Sequence, residues 1–174
     1  MEHGTDRIDD VVITDSSENF DTWINREYIS EGLKSDLKKA NILLVPTEGF
    51  RNKNIPVFPV KTEELFTYIK NRLPSEYKID ICIEDKEYKE LALHSDLVII
   101  GSFVVASIVV PILVNIISEY IKQKILKMGE KRGVKVSLTI VDAKGVSKNL
   151  TYEGEAENFG RIINKLNDVR KRET

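Results

Sequence analysis

The chain has 174 residues, of which 41% are hydrophobic and 31% are charged, and its formal net charge is −2. These values are typical of a globular domain and exclude a wholly disordered chain. They also exclude general nucleic-acid binding, because domains with that function normally have a strong excess of basic residues. Cys82 is the single cysteine, which excludes an internal disulfide and a cysteine-based zinc site.

The charge is distributed unevenly along the chain. Residues 1–31 contain nine acids and two bases, a charge of −7, whereas residues 32–174 have a charge of +5. Residues 1–20 are acidic and polar apart from Val11-Val12-Ile13, so we expect them to form a flexible arm in which these three residues could form a short strand. Residues 21–172 are then expected to form a single α+β domain.

The first half of this domain shows local patterns for two strands and one helix. The apolar run 42–45 ends at a proline and predicts a buried strand. Thr62 can cap a helix with two glutamates in its first turn and an apolar face beyond, which predicts an amphipathic helix over 62–73. Three isoleucines that alternate with polar residues predict a strand over 79–84.

The C-terminal part of the chain has the pattern of a hairpin followed by a helix. Alternating apolar residues predict strands over 134–141 and 146–152, and Gly145 supplies the turn between them. Apolar residues at helical spacing predict an amphipathic helix over 156–169.

The run from Leu97 to Ile117 is the longest apolar segment. It contains 21 residues without a charge, and 15 of them are Val, Ile, Leu or Phe. Such a run is typical either of a membrane-spanning helix or of a buried core helix. The sequence favours a long central helix over about 96–127, because the strands and amphipathic helices elsewhere need an apolar partner surface. The predicted fold is therefore α+β, with a small mixed sheet packed against this helix and the two amphipathic helices.

The membrane alternative divides the chain differently. It has a cytoplasmic region at 1–95, a transmembrane helix at 97–117 and a basic α/β tail at 122–174. The protein would then be a single-pass protein of the cell membrane, whose basic segment contacts anionic lipid headgroups. The leading expectation is a cytoplasmic protein without such a span.

The sequence shows no catalytic, cofactor-binding or metal-binding motif. His94, Ser95 and Asp96 have the residue types of a hydrolytic triad, but a triad is assembled from distant positions, and helix capping is the better interpretation. The acidic residues between 80 and 87 lack the glycine and spacing of a calcium loop. The loop 47–54 has one glycine and no Gly-Lys-Ser/Thr ending, which argues against phosphate binding.

A basic segment follows the apolar run. Its six basic side chains are the candidates for contact with a partner or with lipid headgroups: Lys122, Lys124, Lys127, Lys131, Arg132 and Lys135. We expect the partner to be a protein or a second copy of the chain. In the membrane alternative, residues 97–117 provide the contact with lipid. We expect no nucleic acid as a partner, and the sequence identifies no small-molecule substrate or cofactor.

Residues 57–169 also resemble a known family in their order of elements. This segment reads as a strand, a helix with the face Leu65, Phe66 and Ile69, and the strand at 79–84, followed by the long helix, the Asp142-Ala143-Lys144-Gly145 turn and a terminal amphipathic helix. This layout resembles the effector-associated constant component domains of bacterial conflict systems. The resemblance implies a small α+β adaptor without catalytic residues, acting beside effector and sensor proteins. The chain is therefore expected to be a non-enzymatic interaction module.

Overall fold

The structure is a computed structural model that describes residues 6–8, 10–50, 55–92, 96–126 and 132–172. It confirms the α+β class, with a mixed sheet and helices. The strands in the described part of the chain are β1 (Asp6–Ile8), β2 (Val11–Ser16), β3 (Ile42–Val45), β4 (Phe58–Pro59), β5 (Ile79–Ile81), β6 (Glu90–Leu91), β7 (Val98–Ala106), β8 (Gly133–Val141) and β9 (Ser147–Glu155). The α-helices are α1 (Phe20–Ile24), α2 (Glu31–Leu37), α3 (Thr62–Arg72), α4 (Val110–Tyr120) and α5 (Phe159–Arg172).

Seven of these strands form one sheet in the order β1-β2-β9-β8-β7-β3-β5. The pairs β7–β8 and β3–β5 are parallel, and the other neighbouring pairs are antiparallel. The short strands β4 and β6 form a separate parallel pair. Helix α3 belongs to the crossover that connects β3 to β5, as a parallel pair requires.

The predicted helix over 96–127 is wrong in its first half. Residues Val98–Ala106 form β7, which lies between β8 and β3, and the helix begins only at Val110. A strand that is buried on both faces gives a continuous apolar run without alternation, so its pattern matches that of a buried helix. Pro111 lies in the first turn of α4, where proline is tolerated, and it restricts how far the helix can extend upstream.

The transmembrane prediction for 97–117 is wrong for the same reason. Strand β7 and helix α4 divide this run between them, and most of its large apolar side chains lie in the core. In the described part of the chain, no helix is long and apolar enough to cross a membrane.

The predicted flexible arm also needs correction. Residues Val11–Ser16 pair antiparallel with β9 along the whole of β2, and the Val11 side chain is fully buried. The folded domain therefore includes part of the segment 1–20. Residues 1–5 and 9 lie outside the described residues.

Both faces of the sheet carry helices, but they are covered unequally. Helices α3, α4 and α5 pack on one face, where the largest hydrophobic cluster includes Leu113, Phe103 and Leu138. Helices α1 and α2 cover the β3 and β7 side of the other face, where Trp23 and Val104 belong to a second cluster. This arrangement buries β7 on both of its faces.

Helix α5 comes very close to α4 at Gly160. A Cβ atom built on Gly160 would lie 2.4 Å from the Ser118 Oγ and 3.1 Å from the Ser118 Cβ. The first distance is far inside van der Waals contact, so any larger residue at position 160 must push the helices apart or displace Ser118. The glycine is therefore required by packing.

We predict that Gly160→Ala lowers the free energy of unfolding by about 1–3 kcal/mol, the usual cost of overpacking. Ser118→Ala in the same chain should recover part of this loss, because it removes the closer of the two atoms. Urea denaturation followed by circular dichroism measures both effects. Gly32→Ala in α2 is the matched control: its Cβ would have only one neighbour, at 4.0 Å, so this change should be neutral or stabilising. A loss of equal size in both glycine variants would contradict the packing argument.

Candidate interaction site

An apolar pocket of about 470 Å³ lies between the start of α3, the start of β7 and the end of α4. This volume falls in the range of about 300–1,000 Å³ that is usual for ligand pockets. Aliphatic side chains, including Leu65 and Ile99, form most of its lining. Among the residues that the structure describes, its charged lining residues are all basic: Lys61, Lys124 and Arg132.

The structure separates the basic residues that the sequence grouped together. Lys124 and Arg132 line the pocket. Lys122 is exposed and forms an ion pair with Glu119 at 3.6 Å. Lys135 pairs with Glu153 at 3.4 Å and alternates with buried core residues along β8, so it points to the opposite face of the sheet. Lys127 and Lys131 lie outside the described residues.

A π-helical turn, Ile121–Ile125, continues α4 and shapes one wall of the pocket. Tyr120 and Ile125 both line the pocket although they are five residues apart. In an α-helix such residues point about 140° apart, at 3.6 residues per turn. The i→i+5 hydrogen bonding of a π-helix widens the turn and brings Tyr120 and Ile125 onto the same side of the helix. Such turns are often found at functional sites.

Tyr120 contributes a neutral surface to the same wall. The residue is 4% exposed, and its ring packs edge-on against that of Tyr68, with the ring centroids 5.3 Å apart. Burial, together with the negative charges of Glu64 and Glu90, raises the pKa of Tyr120 to about 12.

Lys61 is held in an uncommon backbone conformation at the mouth of the pocket. Its φ of 71° makes it the only non-glycine residue with positive φ in the described part of the chain. A non-glycine residue with positive φ raises the free energy of the folded state, and it is found where the surrounding contacts enforce that conformation. Here the Glu90 carboxylate accepts hydrogen bonds from the backbone N–H of Lys61 at 2.8 Å and of Glu63 at 3.0 Å.

Glu90 thereby caps the N-terminus of α3 from a distant part of the chain. Lys61 occupies the N-cap position, but its side chain makes no capping hydrogen bond. The β4–β6 pairing places Glu90 opposite Phe58, within reach of the first turn of the helix. A carboxylate at this position also interacts favourably with the helix dipole.

The pKa of Glu90 reflects this capping role. Partial burial alone would raise it, but hydrogen bonds from the Tyr88 hydroxyl and from the N–H groups of Glu63 and Lys61 lower it below its usual value. A carboxyl whose pKa is lowered on folding stabilises the protein above its unfolded-state pKa. That contribution is lost as the pH falls through the folded-state value.

We predict that Glu90→Gln lowers the free energy of unfolding at neutral pH by about 0.5–2 kcal/mol, the usual range for a lost helix cap. The difference from the unsubstituted protein should shrink as the pH falls below the ordinary glutamate value of about 4.3. Urea denaturation at a series of pH values checks both statements. Glu87→Gln, an exposed change in the neighbouring turn, is the control and should have little effect at any pH. If Glu90→Gln lowers the free energy of unfolding by the same amount at every pH, the charge of Glu90 does not contribute to the cap.

Exposed apolar side chains continue the pocket onto the protein surface. Val60 is 51% exposed and lines the pocket, and Leu91 is 43% exposed. Leu91 pairs with Pro59 across the β4–β6 ladder and precedes Ala92, and both of these residues line the pocket. Apolar surface of this kind beside a concave apolar site is typical of an interaction surface.

A second, shallower concavity adjoins the pocket and has the opposite charge. The two share Val60 and Lys61, but the second also contains Glu63, Glu64 and Glu90. Lys124 on the pocket side forms an ion pair with Glu64 at 3.6 Å. The surface around Val60 is thus basic on one side and acidic on the other.

The polar cluster around Arg26 has a structural role. The Arg26 guanidinium lies 4.0 Å from the centroid of the Trp23 ring and pairs with Glu18 at 3.1 Å and Glu48 at 3.2 Å. The Tyr28 hydroxyl donates to the Glu48 carboxylate at 2.8 Å. These groups satisfy one another and connect α1 to the loop that follows β3.

The other candidate residues from the sequence are dispersed or lie outside the described part. Glu84 accepts a hydrogen bond from the backbone N–H of Ser30. Within the described residues, no group of three or more acidic, cysteine or histidine side chains could hold a metal ion. Cys82 is fully buried, and burial raises the pKa of its thiol to about 12. His94 and Ser95 lie outside the described residues, as does part of the loop 47–54.

No family model, curated protein or solved structure matches the chain. The geometry of the pocket is therefore the basis for the function proposed below.

Proposed function

We propose that the protein is a non-enzymatic interaction module that binds a segment of a partner protein. The pocket takes up one large apolar side chain of that segment, and the basic rim pairs with acidic residues next to it. The observation that carries this proposal is the composition of the pocket. Its lining is mainly apolar, and its charged members in the described part of the chain, Lys61, Lys124 and Arg132, are all basic.

The two parts of this surface contribute differently to binding. Burial of a large apolar side chain contributes about 1.5–3 kcal/mol, and anchors of this kind carry most of the affinity of an interface. Charge pairs at an exposed rim mainly increase the association rate and the selection of the partner. The pocket is thus expected to supply affinity, and Lys61 and Lys124 are expected to select an acidic segment.

An adaptor role is also what the resemblance to effector-associated constant component domains implies. The partner would then be an effector or sensor protein of a bacterial conflict system. One element behind that resemblance, a long helix after the strand at 79–84, is replaced by β7 and α4. The proposal therefore depends on the pocket and takes from the resemblance only the adaptor role.

A random peptide library displayed on phage and panned against the full chain provides a direct test. We expect the enriched peptides to contain a large apolar residue beside Asp or Glu. Fluorescence polarisation of one selected synthetic peptide then measures its affinity. Ala92→Trp, which adds bulk to the pocket lining, should weaken binding about tenfold or more.

Ala143→Trp is the matched control, because Ala143 is exposed in the β8–β9 turn and outside the pocket. It should bind the peptide like the unsubstituted chain. Lys124→Glu should weaken the binding of acidic peptides through charge repulsion, without adding a steric clash. The proposal is wrong if panning enriches no peptide, or if the selected peptide binds Ala92→Trp and Ala143→Trp equally well.

A further inference from the structure

The surface beside the pocket carries the types of side chain that the pocket is suited to bind, which are apolar and acidic. Val60 and Leu91 are large apolar side chains that are about half exposed. Glu63, in the first turn of α3, is also exposed and belongs to the acidic concavity that shares Val60 with the pocket. An apolar anchor and a carboxylate therefore lie close to each other on this chain, at the mouth of its own pocket.

The distribution of charge on this surface allows two copies to pair through a two-fold rotation. In a symmetric dimer, the same patch of both copies forms the interface, so a contact from residue i to residue j occurs twice. Here the patch has an apolar centre at Val60, a basic side and an acidic side. A two-fold axis that passes through Val60 along the border between these two sides places the basic side of each copy against the acidic side of the other.

We propose that the partner segment is supplied by a second copy of this chain, in a symmetric homodimer with its axis close to Val60. Val60 and Leu91 of each copy pack on the apolar pocket mouth of the other. Lys61 of each copy pairs with Glu63 of the other across the axis. The inference rests on the proposed function, because it uses the same pocket and names its occupant.

Lys61 and Glu63 are the charges best suited to this contact. Within the described part of the chain, neither side chain has an ion-pair partner within 4.0 Å. By contrast, Glu64 already pairs with Lys124, and the Glu90 carboxylate is occupied by two backbone N–H groups. Lys61 and Glu63 are two residues apart and close to the proposed axis, so both symmetry-related pairs form together.

Sedimentation equilibrium of the full chain over a micromolar concentration range tests the dimer. We expect a reversible monomer–dimer equilibrium that weakens as the salt concentration rises, because exposed charge pairs are screened. Val60→Asp should raise the dissociation constant about tenfold or more, since the change occurs twice in the interface. Ile108→Asp is the control: Ile108 is 71% exposed and follows β7 at the end opposite to the pocket, and about 20 Å of strand separates Ile100 in the pocket from Ala106.

Charge reversal tests the pairing across the axis. Lys61→Glu and Glu63→Lys should each weaken the dimer, because like charges then face each other. The double variant should restore it, because opposite charges face each other again. Lys122→Glu, which lines neither concavity, is the control for charge alone. Thermal melting by circular dichroism verifies that each variant is folded. If a single variant does not fold, the double variant still tests the pairing, since a monomeric double variant overturns it.

The outcomes separate this inference from the proposed function. If the chain is monomeric at every concentration but selects peptides, the homodimer is wrong and the interaction module is supported. A dimer that is equally stable in Val60→Asp and Ile108→Asp uses another surface, which also overturns the homodimer. A chain that neither dimerises nor selects peptides overturns both. A dimer that Val60→Asp and Ala92→Trp weaken, and that Ala143→Trp leaves intact, supports the homodimer, and it supports both proposals where panning also selects peptides.

Discussion

The burial of β7 on both faces is the constraint on which the rest of the structure depends. Phe103 and Val105 belong to the cluster under α3, α4 and α5, whereas Val104 belongs to the cluster under α1 and α2. Hydrogen bonding to β3 on one side and β8 on the other satisfies the backbone of the strand. A strand in this position must be apolar at nearly every residue, which explains why the first half of the run 97–117 has no polar face.

The sequence predicted an element correctly where the signal for that element lies within a few neighbouring residues. The helix at 62–73 and the strands at 42–45 and 134–141 have nearly the predicted bounds, because their capping, periodicity and alternation are local signals. Strand β7 was missed, since a doubly buried strand and a buried helix share one apolar pattern. Pro111 was the available signal, because proline fits only the first turn of a helix.

The same reasoning explains which parts of the site the sequence predicted. Lys124 and Arg132 belong to a visible run of basic residues, and both line the pocket. Lys61 and Glu90 are 29 residues apart, and the β4–β6 pairing brings them together. Helix caps are normally predicted from a side chain at the N-cap itself. A cap donated by a distant glutamate has no local pattern that could predict it.

The pocket exists because the apolar surface of β7 extends beyond the helices that cover it. Val98 and Ile99, at the start of the strand, are only half-buried and line the pocket, whereas Val104 and Val105 are fully buried. The same apolar run therefore supplies both the core and the pocket wall. Since this wall is part of a central strand and the Glu90 cap holds the backbone of Lys61 at the mouth, these two parts of the pocket are preformed. A preformed site loses little conformational entropy on binding, which favours recognition of a short apolar segment.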